Sequence, residues 1–256
     1  MIAVVISEKD EASVCIGKEL MSLQKWEKLG ANVYRSGNIL LYFIEGMHLY
    51  HDNIDEEIKK WGKAEAIIFA SRHSSESRRK TLSVHPIGNF GEAKFGGKSK
   101  ELVLSAPLLM KNALKLLQVK AESMDYEVCY EATHHGPYLS TPSFFIETGS
   151  TEKEWNDREA CRTIAEVIIE TKNEKADVAI GIGGGHYAPR FTDIALHRNI
   201  AFGHMISDYN LSNIDEDMIQ KAIDSTPDVK FAYFHGKKSR RFKKFFEGEG
   251  IECTAK

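Results

Sequence analysis

The sequence predicts an α/β protein in which a mostly parallel or mixed sheet carries helices on both faces. Short apolar runs rich in β-branched and aromatic residues alternate with stretches of helical periodicity. Such alternation implies right-handed crossovers between parallel strands. No internal repeat, low-complexity tract or linker divides the 256 residues. We therefore expect a single domain over residues 1–256.

The strands are expected at the apolar runs and the helices between them. The predicted strands are Ile2–Ile6, Ile39–Ile44, Ala66–Ala70, Glu101–Leu104, Glu127–Ala132, Ser143–Glu147, Asp177–Ile182, Ile200–Phe202 and Val229–Phe234. The predicted helices run from Asp10 to Lys25, Asp55 to Trp61, Pro107 to Ala121, Thr151 to Thr171, Asp215 to Ser225 and Ser239 to Glu247. A segment rich in Gly, Ser and charge, from Ser71 to Lys100, is expected to be a long loop.

Composition is that of an ordinary globular protein. Hydrophobic residues make up 42% and charged residues 28% of the chain. The four cysteines are far apart and form no CxxC pair, which indicates reduced thiols in a cytoplasmic protein. No run approaches the roughly 20 apolar residues that cross a bilayer, so no membrane contact is expected. The net charge of −3 means that any RNA contact must use local basic patches.

Histidines are the informative residues. In open α/β sheets ligands bind at the carboxyl ends of the strands, and most of the ten histidines follow a predicted strand: His48, His51, His73, His134, His135, His186, His204 and His235. Clustered imidazoles suit zinc binding and acid–base chemistry. However, no HExxH spacing defines a ligand set, and histidines also occur in such loops simply because loops follow strands.

The segment GIGGGHYAPRFTD follows a predicted buried strand. Gly183–Gly185 let a backbone approach a ligand closely, and their N–H groups can cradle an anion. After them, His186 could act as a base or a metal ligand. The Arg190 guanidinium could bind a phosphate or a carboxylate with two hydrogen bonds, and Asp193 supplies a carboxylate. The alternative is a tight turn that needs glycine only for its geometry. The spacing matches neither a P-loop nor a dinucleotide fingerprint.

The segment THHGP brings two adjacent histidines, His134 and His135, to the end of another predicted strand. No GxSxG elbow is present, so a serine-hydrolase triad is not supported. A polar capping loop is the alternative interpretation of this segment.

Two basic segments suggest contact with a phosphate backbone. SRHSSESRRK contributes Arg72, His73, Arg78 and Arg79 as substrate-binding residues, and KKSRRFKKFF contributes Lys237, Lys238, Arg240 and Arg241. A solvated helix face is the common alternative for such charge runs.

Taken together, SRHSS, VHPIGNFG, EATHHGP, FFIETGSTEKEW, GIGGGHYAPRFTD and FGHMIS resemble the D-aminoacyl-tRNA deacylase family of archaea and plants. The resemblance extends over nearly the whole chain. It implies hydrolysis of the ester between a D-amino acid and the terminal ribose of tRNA. It also implies a zinc cofactor, a monomer, and a fold akin to the phosphorylase and peptidyl-tRNA hydrolase group.

On this interpretation, residue roles follow from the strand-end rule. Zinc would be held by His134, His186, His204 and Asp193. Catalysis would use His134, with His135 as the general base and the amides of Gly183, Gly184 and Gly185 as oxyanion donors. We expect direct attack by water, without an acyl-enzyme. Two other hypotheses stay open: a zinc exopeptidase or amidohydrolase acting on small peptides, and a non-catalytic RNA-binding protein.

Overall fold

The computed structural model describes residues 1–212 and 214–254 and arranges their strands in two sheets. Numbered along the chain, the strands are β1 (Ile2–Ser7), β2 (Glu27–Lys28), β3 (Val33–Ser36), β4 (Ile39–Ile44), β5 (Ala66–Ser74), β6 (Thr81–Pro86), β7 (Glu127–Tyr130), β8 (Ser143–Ser150), β9 (Asp177–Ile182), β10 (Ile200–Ile206), β11 (Val229–Phe234) and β12 (Glu252–Thr254).

The helices lie between these strands. They are α1 (Glu11–Leu23), α2 (Ile54–Ile58), α3 (Pro107–Lys120), α4 (Glu152–Trp155), α5 (Arg158–Glu170), α6 (Pro189–His197), α7 (Asp208–Leu211), α8 (Glu216–Asp224) and α9 (Lys243–Gly248). Within the described residues, none of them has the length and apolar character that crossing a bilayer requires.

The larger sheet is mixed and the smaller one is parallel. The eight-stranded sheet has the order β2-β3-β4-β1-β5-β8-β6-β7. Its centre, β4-β1-β5-β8, is parallel, whereas β3 pairs antiparallel with β4 and β6 pairs antiparallel with β8. The four-stranded sheet has the order β10-β9-β11-β12, with all pairs parallel. The predicted α/β class with a mostly parallel or mixed sheet is therefore confirmed.

Helices cover both faces of the larger sheet, as predicted. Val4 and Ile6 of β1 pack on one face with residues of α1, α3 and α5, whereas the alternate residues Ala3 and Val5 pack on the other with α2. The first of these cores also contains Phe202 of β10, so it continues from the larger sheet to the smaller one. The carboxyl ends of strands from both sheets can thereby contribute to one site.

Three predicted elements were wrong. The segment predicted as a loop from Ser71 to Lys100 contains the end of β5 and all of β6. Glu101–Leu104 forms no strand and makes only a single bridge, between Leu102 and Gly88. The helix predicted from Thr151 to Thr171 is interrupted after α4, because the Asp157 side chain accepts from the amides of Glu159 and Ala160 and starts α5 anew.

Candidate active site

Five ionisable side chains, contributed by both sheets, meet in one site. His73 lies near the end of β5, His85 near the end of β6, and Glu131 directly after β7. Glu147 lies within β8, between β5 and β6, and His186 follows the glycine turn after β9. β5 pairs parallel with β8, whereas β6 pairs parallel with β7 but antiparallel with β8, so the carboxyl ends of β5 and β6 point in opposite directions. Histidines from different strands converge on the carboxylates, but not at the single edge of carboxyl ends that the sequence predicted.

Two buried carboxylates form the centre of the site. Glu131 is fully buried, with Oε1 3.1 Å from Nδ1 of His73 and Oε2 2.8 Å from Nε2 of His186. Glu147 is 2% exposed, with its oxygens 3.6 Å from Nδ1 of His73 and 3.6 Å from Nε2 of His85. The Nε2 of His73 lies 3.0 Å from the Tyr187 hydroxyl. Buried carboxylates require such compensation, because an isolated charge inside a protein is very costly.

The carboxylates and His73 hold one another in their charged forms. Burial lowers the pKa of His73, but its contacts with Glu131 and Glu147 outweigh that effect and raise the pKa to about 11. Burial raises the pKa of Glu131, but its contacts with His186 and His73 dominate and hold the pKa well below its usual range. The pKa of Glu147 is likewise lowered to about 2 by His73 and His85, against the effect of burial.

His134 and His135 have a different environment. The Nδ1 of His134 lies 2.8 Å from the carbonyl of Ala132, and the Nδ1 of His135 lies 2.8 Å from the carbonyl of Gly136. Burial first, and then the neighbouring His85, lowers the pKa of His134 well below its usual range and that of His135 to about 3. Both rings are thus neutral near pH 7, and Nε2 is the proton acceptor when Nδ1 donates to a carbonyl.

Two groups within the described residues could hold a metal ion. One consists of His73, Glu131 and His186, and the other of His85, His134 and His135; in each, one ligand atom per residue lies within 4.8 Å of the others. The predicted ligands His134 and His186 are neighbours, with ring centroids 4.7 Å apart. They belong to different groups, however, and His134 contacts Glu131 only at 3.7 Å.

The other two predicted ligands are not brought to the site. His204 lies within β10, fully buried, and its ring nitrogens face the Thr133 hydroxyl at 3.1 Å and the Val103 carbonyl at 3.0 Å. Burial lowers its pKa to about 4. Asp193 is exposed on α6, where it pairs with His197. The His204 ring is a core residue whose two nitrogens are already engaged, and Asp193 faces solvent. The structure therefore corrects the prediction that these two residues are zinc ligands.

The glycine turn forms one wall of the site. Gly183 and Gly184 adopt φ of 94° and 89°, and a Cβ on Gly183 would lie 2.0 Å from the His235 carbonyl. The amide of Gly183 donates to the Ile206 carbonyl at 2.7 Å. That amide is therefore not an oxyanion donor, contrary to prediction. Gly184 and Gly185 line the adjoining cleft.

The cleft has a volume of about 700 Å³, within the range of small-molecule sites. His134, His135 and His186 line it at one end. Its remaining walls come from two segments outside the histidine cluster: residues 88–95 before α3 and residues 207–210 after β10. A ligand bound there would reach the reactive side chains from solvent.

The first basic segment borders the site, but its side chains are largely engaged within the protein. His73, predicted to contact tRNA, is buried among the carboxylates instead. Arg72 lies over the Trp155 ring at 4.8 Å, with Nε 3.8 Å from Asp10. Arg79 pairs with Glu127 and lies over the Tyr187 ring at 4.7 Å. Arg78 is exposed, and Arg190 is half-buried in the first turn of α6.

The second basic segment lies on the opposite side of the glycine turn. The Ser239 hydroxyl donates to the His235 carbonyl, against which Gly183 packs. The side chains of Lys237, Lys238 and Arg240 are exposed. The Arg241 guanidinium donates to the carbonyls of Leu211 and Ile214, so it fixes this segment to the helix that borders the cleft. The predicted Ser239–Glu247 helix is a 3-10 turn, Lys238–Phe242, followed by α9.

Sequence reasoning missed the two central carboxylates and Tyr187. Glu131 stands three residues before His134 in EATHHGP, and Glu147 lies inside an apolar strand. An acid within or at the end of a buried strand is the signal that could have identified both, because ionised carboxylates are rarely buried without a partner.

The protein resembles known proteins over most of its length. The family model described as D-aminoacyl-tRNA deacylase matches residues 61–254. A relative named D-aminoacyl-tRNA deacylase from Methanosarcina mazei is 39% identical over 96% of this chain and 88% of its own. Another of that name, from Pyrococcus furiosus, is 42% identical over 82% of this chain and 80% of its own.

The fold resembles a solved structure as well. The crystal structure of AF0625, a conserved protein of unknown function, superposes with a TM-score of 0.92 at 35% identity. The superposition covers 99% of this chain and 94% of AF0625. The arrangement of the two sheets therefore has a counterpart determined by crystallography.

Proposed function

The chain belongs to the D-aminoacyl-tRNA deacylase family, and on that premise we propose that it hydrolyses the ester of D-aminoacyl-tRNA, releasing a free D-amino acid and tRNA. The observation that supports this proposal most directly is that the cleft lies next to the cluster of histidines and carboxylates. Such an activity would remove D-amino acids from tRNA before translation uses them. The exposed Lys and Arg side chains of the second basic segment support a tRNA substrate, because such side chains bind phosphates.

The reaction proceeds by direct attack of water. An aminoacyl ester is already activated, so it requires a positioned water and stabilisation of the developing negative charge. The Nε2 of His135 receives the proton, since Nδ1 is held by the Gly136 carbonyl. The amides of Gly184 and Gly185, on the facing wall, stabilise the oxyanion.

Zinc is the proposed cofactor, and His73, Glu131 and His186 fit it. Two ligands of one tetrahedral zinc lie about 3.3 Å apart when the bonds measure roughly 2.0–2.2 Å; the nitrogen–oxygen distances here are 3.1 and 2.8 Å. Neither oxygen of the buried Glu131 accepts an aligned hydrogen bond. A misaligned set of close donors favours a shared cation, whose binding would release the proton that His73 otherwise carries. Zinc would supply Lewis-acid polarisation of the ester carbonyl.

The group of His85, His134 and His135 is the alternative zinc site. It contains three imidazoles, a ligand set that can also hold a catalytic zinc. His85 is fully buried and stacks on Phe145 with ring centroids 5.1 Å apart, which favours a packing role. Zinc analysis of the single variants His73→Ala and His85→Ala, each refolded with one equivalent of zinc, distinguishes the groups. We expect loss in the first variant and retention in the second.

Two alternative functions are tested by one experiment. The protein is incubated with D-tyrosyl-tRNA, L-tyrosyl-tRNA and a D-tyrosyl dipeptide, and release of tyrosine is measured. Release from D-tyrosyl-tRNA alone supports the deacylase. Release from the dipeptide would indicate the exopeptidase or amidohydrolase, and tRNA binding without release would indicate an RNA-binding protein. We also propose that the protein is cytoplasmic, in keeping with its four unpaired cysteines. We propose a monomer as its oligomeric state.

A further inference from the structure

Two aromatic rings stand exposed at the cleft. Large apolar side chains in the described part of the chain are mostly buried, but Phe95 is 62% and Tyr209 is 80% exposed, and both line the cleft. Tyr50, 61% exposed, lies beside the residue that follows Phe95: a Cβ on Gly96 would lie 3.3 Å from its ring. Exposed aromatic side chains concentrated at one cleft indicate a ligand that covers them.

The backbone under each ring is fixed. The Phe95 carbonyl accepts from the amide of Gly136 at 3.0 Å, next to His135, and Gly96 is so close to Leu49 that a Cβ would lie 1.7 Å from that carbonyl. On the other wall, the amide of Asp208 donates to the Gly184 carbonyl at 2.8 Å. Both rings are therefore presented to solvent from anchored positions, and binding them costs little backbone entropy.

The charges of the cleft select among parts of the substrate. Glu92, Asp208 and Lys94 line it, so acidic side chains outnumber the lysine and a phosphate placed inside would meet more like than opposite charge. The basic side chains Lys237, Lys238 and Arg240 lie outside the lining. This separation suits a ligand whose uncharged base and ribose enter the cleft while its phosphates remain at the rim.

From these observations we propose that the 3′-terminal adenine of tRNA stacks on Phe95 and Tyr209. This rests on the proposed deacylase function. The scissile ester is carried by the terminal ribose, so the base on that ribose must lie beside the reactive histidines. A flat base presents a π face to an aromatic ring whatever its sequence context. The stacked base would hold the ester at His135 and His186.

The test compares two uncharged tRNAs, one intact and one lacking its terminal adenosine. Phe95→Ala and Tyr209→Ala should each weaken binding of intact tRNA by about 5-fold to 150-fold, the effect of losing one base–aromatic stack. They should leave the shortened tRNA bound as tightly as by the original protein. Tyr209→Phe should bind intact tRNA normally. Val119→Ala, which alters an exposed apolar side chain on α3, is the matched control.

The other outcomes are equally definite. Equal weakening for both tRNAs would place the rings against another part of the RNA and overturn the proposal. If the alanine variants bound both tRNAs with unchanged affinity, the rings would not contact the terminal adenine. If the KM of these variants for D-aminoacyl-tRNA then changed with the identity of the esterified D-amino acid, the rings would be assigned to the amino-acid side chain. Failure of the original protein to bind tRNA or to hydrolyse D-tyrosyl-tRNA would instead refute the deacylase function, and the stacking proposal with it.

Discussion

His73 and the adjacent pair His134 and His135 lie in one site but have opposite protonation behaviour. His73, facing two carboxylates, has a pKa raised to about 11, whereas His135, facing the Gly136 carbonyl among other imidazoles, has a pKa lowered to about 3. The same side chain thus provides a cation or a neutral proton acceptor according to its neighbours. The comparison indicates a division of labour: one group compensates buried charge and the other is available to the substrate.

The largest expected effect is on turnover in His135→Ala. Loss of a general base lowers turnover by roughly 100-fold to 10,000-fold, and tRNA affinity should be little changed because the ring contributes no charge. Deacylation of D-tyrosyl-tRNA under single-turnover conditions measures this. Near-normal turnover would remove His135 as the base. A covalent aminoacyl-protein trapped by acid quench would disprove direct attack by water.

Glu131→Gln tests the other half of the comparison. The substitution removes a buried charge that compensates His73, so we expect the free energy of unfolding to fall by about 3–5 kcal/mol. Zinc should also be lost from the purified protein. Urea denaturation and metal analysis measure the two effects. The matched control is Glu127→Gln, which alters an exposed acid at the start of β7, the strand that Glu131 follows. If Glu131→Gln kept full zinc and stability, the proposed ligand group would be wrong.

Charge reversal in the second basic segment should have a smaller effect, confined to tRNA affinity. Lys238→Glu with Arg240→Glu should weaken binding and flatten its dependence on salt, because fewer counterions are released. Arg241 is avoided because it donates to the Leu211 and Ile214 carbonyls, and its loss would disturb the cleft. Titration of labelled tRNA at several salt concentrations checks this. Identical salt slopes for variant and original protein would place the RNA elsewhere.

Glu19→Gln should have the smallest effect and contrasts an acid whose arginine partners are exposed with the carboxylates of the buried cluster. Hydrogen bonds from Arg158 lower the pKa of Glu19 below its ordinary value of 4.5, but both arginine partners are exposed. The variant should lose up to about 1 kcal/mol of unfolding free energy at pH 7. Because the folded pKa is the lower one, this contribution is present above pH 4.5 and disappears as pH falls through the folded value. Thermal unfolding at pH 7 and pH 3 tests it, and an equal deficit at both would contradict the ion-pair explanation.

The sequence indicated the site more reliably than the roles within it. GIGGGHYAPRFTD and THHGP were correctly expected at strand ends, because a buried strand followed by glycine or histidine is a local pattern. His85 was assigned to a loop, since β6 lies in a Gly- and Ser-rich segment and becomes a strand by pairing with β7 and β8, both distant in sequence. His204 follows the same local pattern as the site histidines, yet Thr133 and Val103, distant in sequence, enclose it in the core.

By itself, the sequence determined the α/β class, the family and the segments that supply the site, because these depend on periodicity and on long local motifs. Only the tertiary structure decided which histidines meet carboxylates and which glycine amides are already engaged. Charge and hydrogen bonding at His73 depend on Glu131 and Glu147, 58 and 74 positions away along the chain. Electrostatic interactions act through space over a few ångströms, so the pattern of neighbours in sequence cannot specify them.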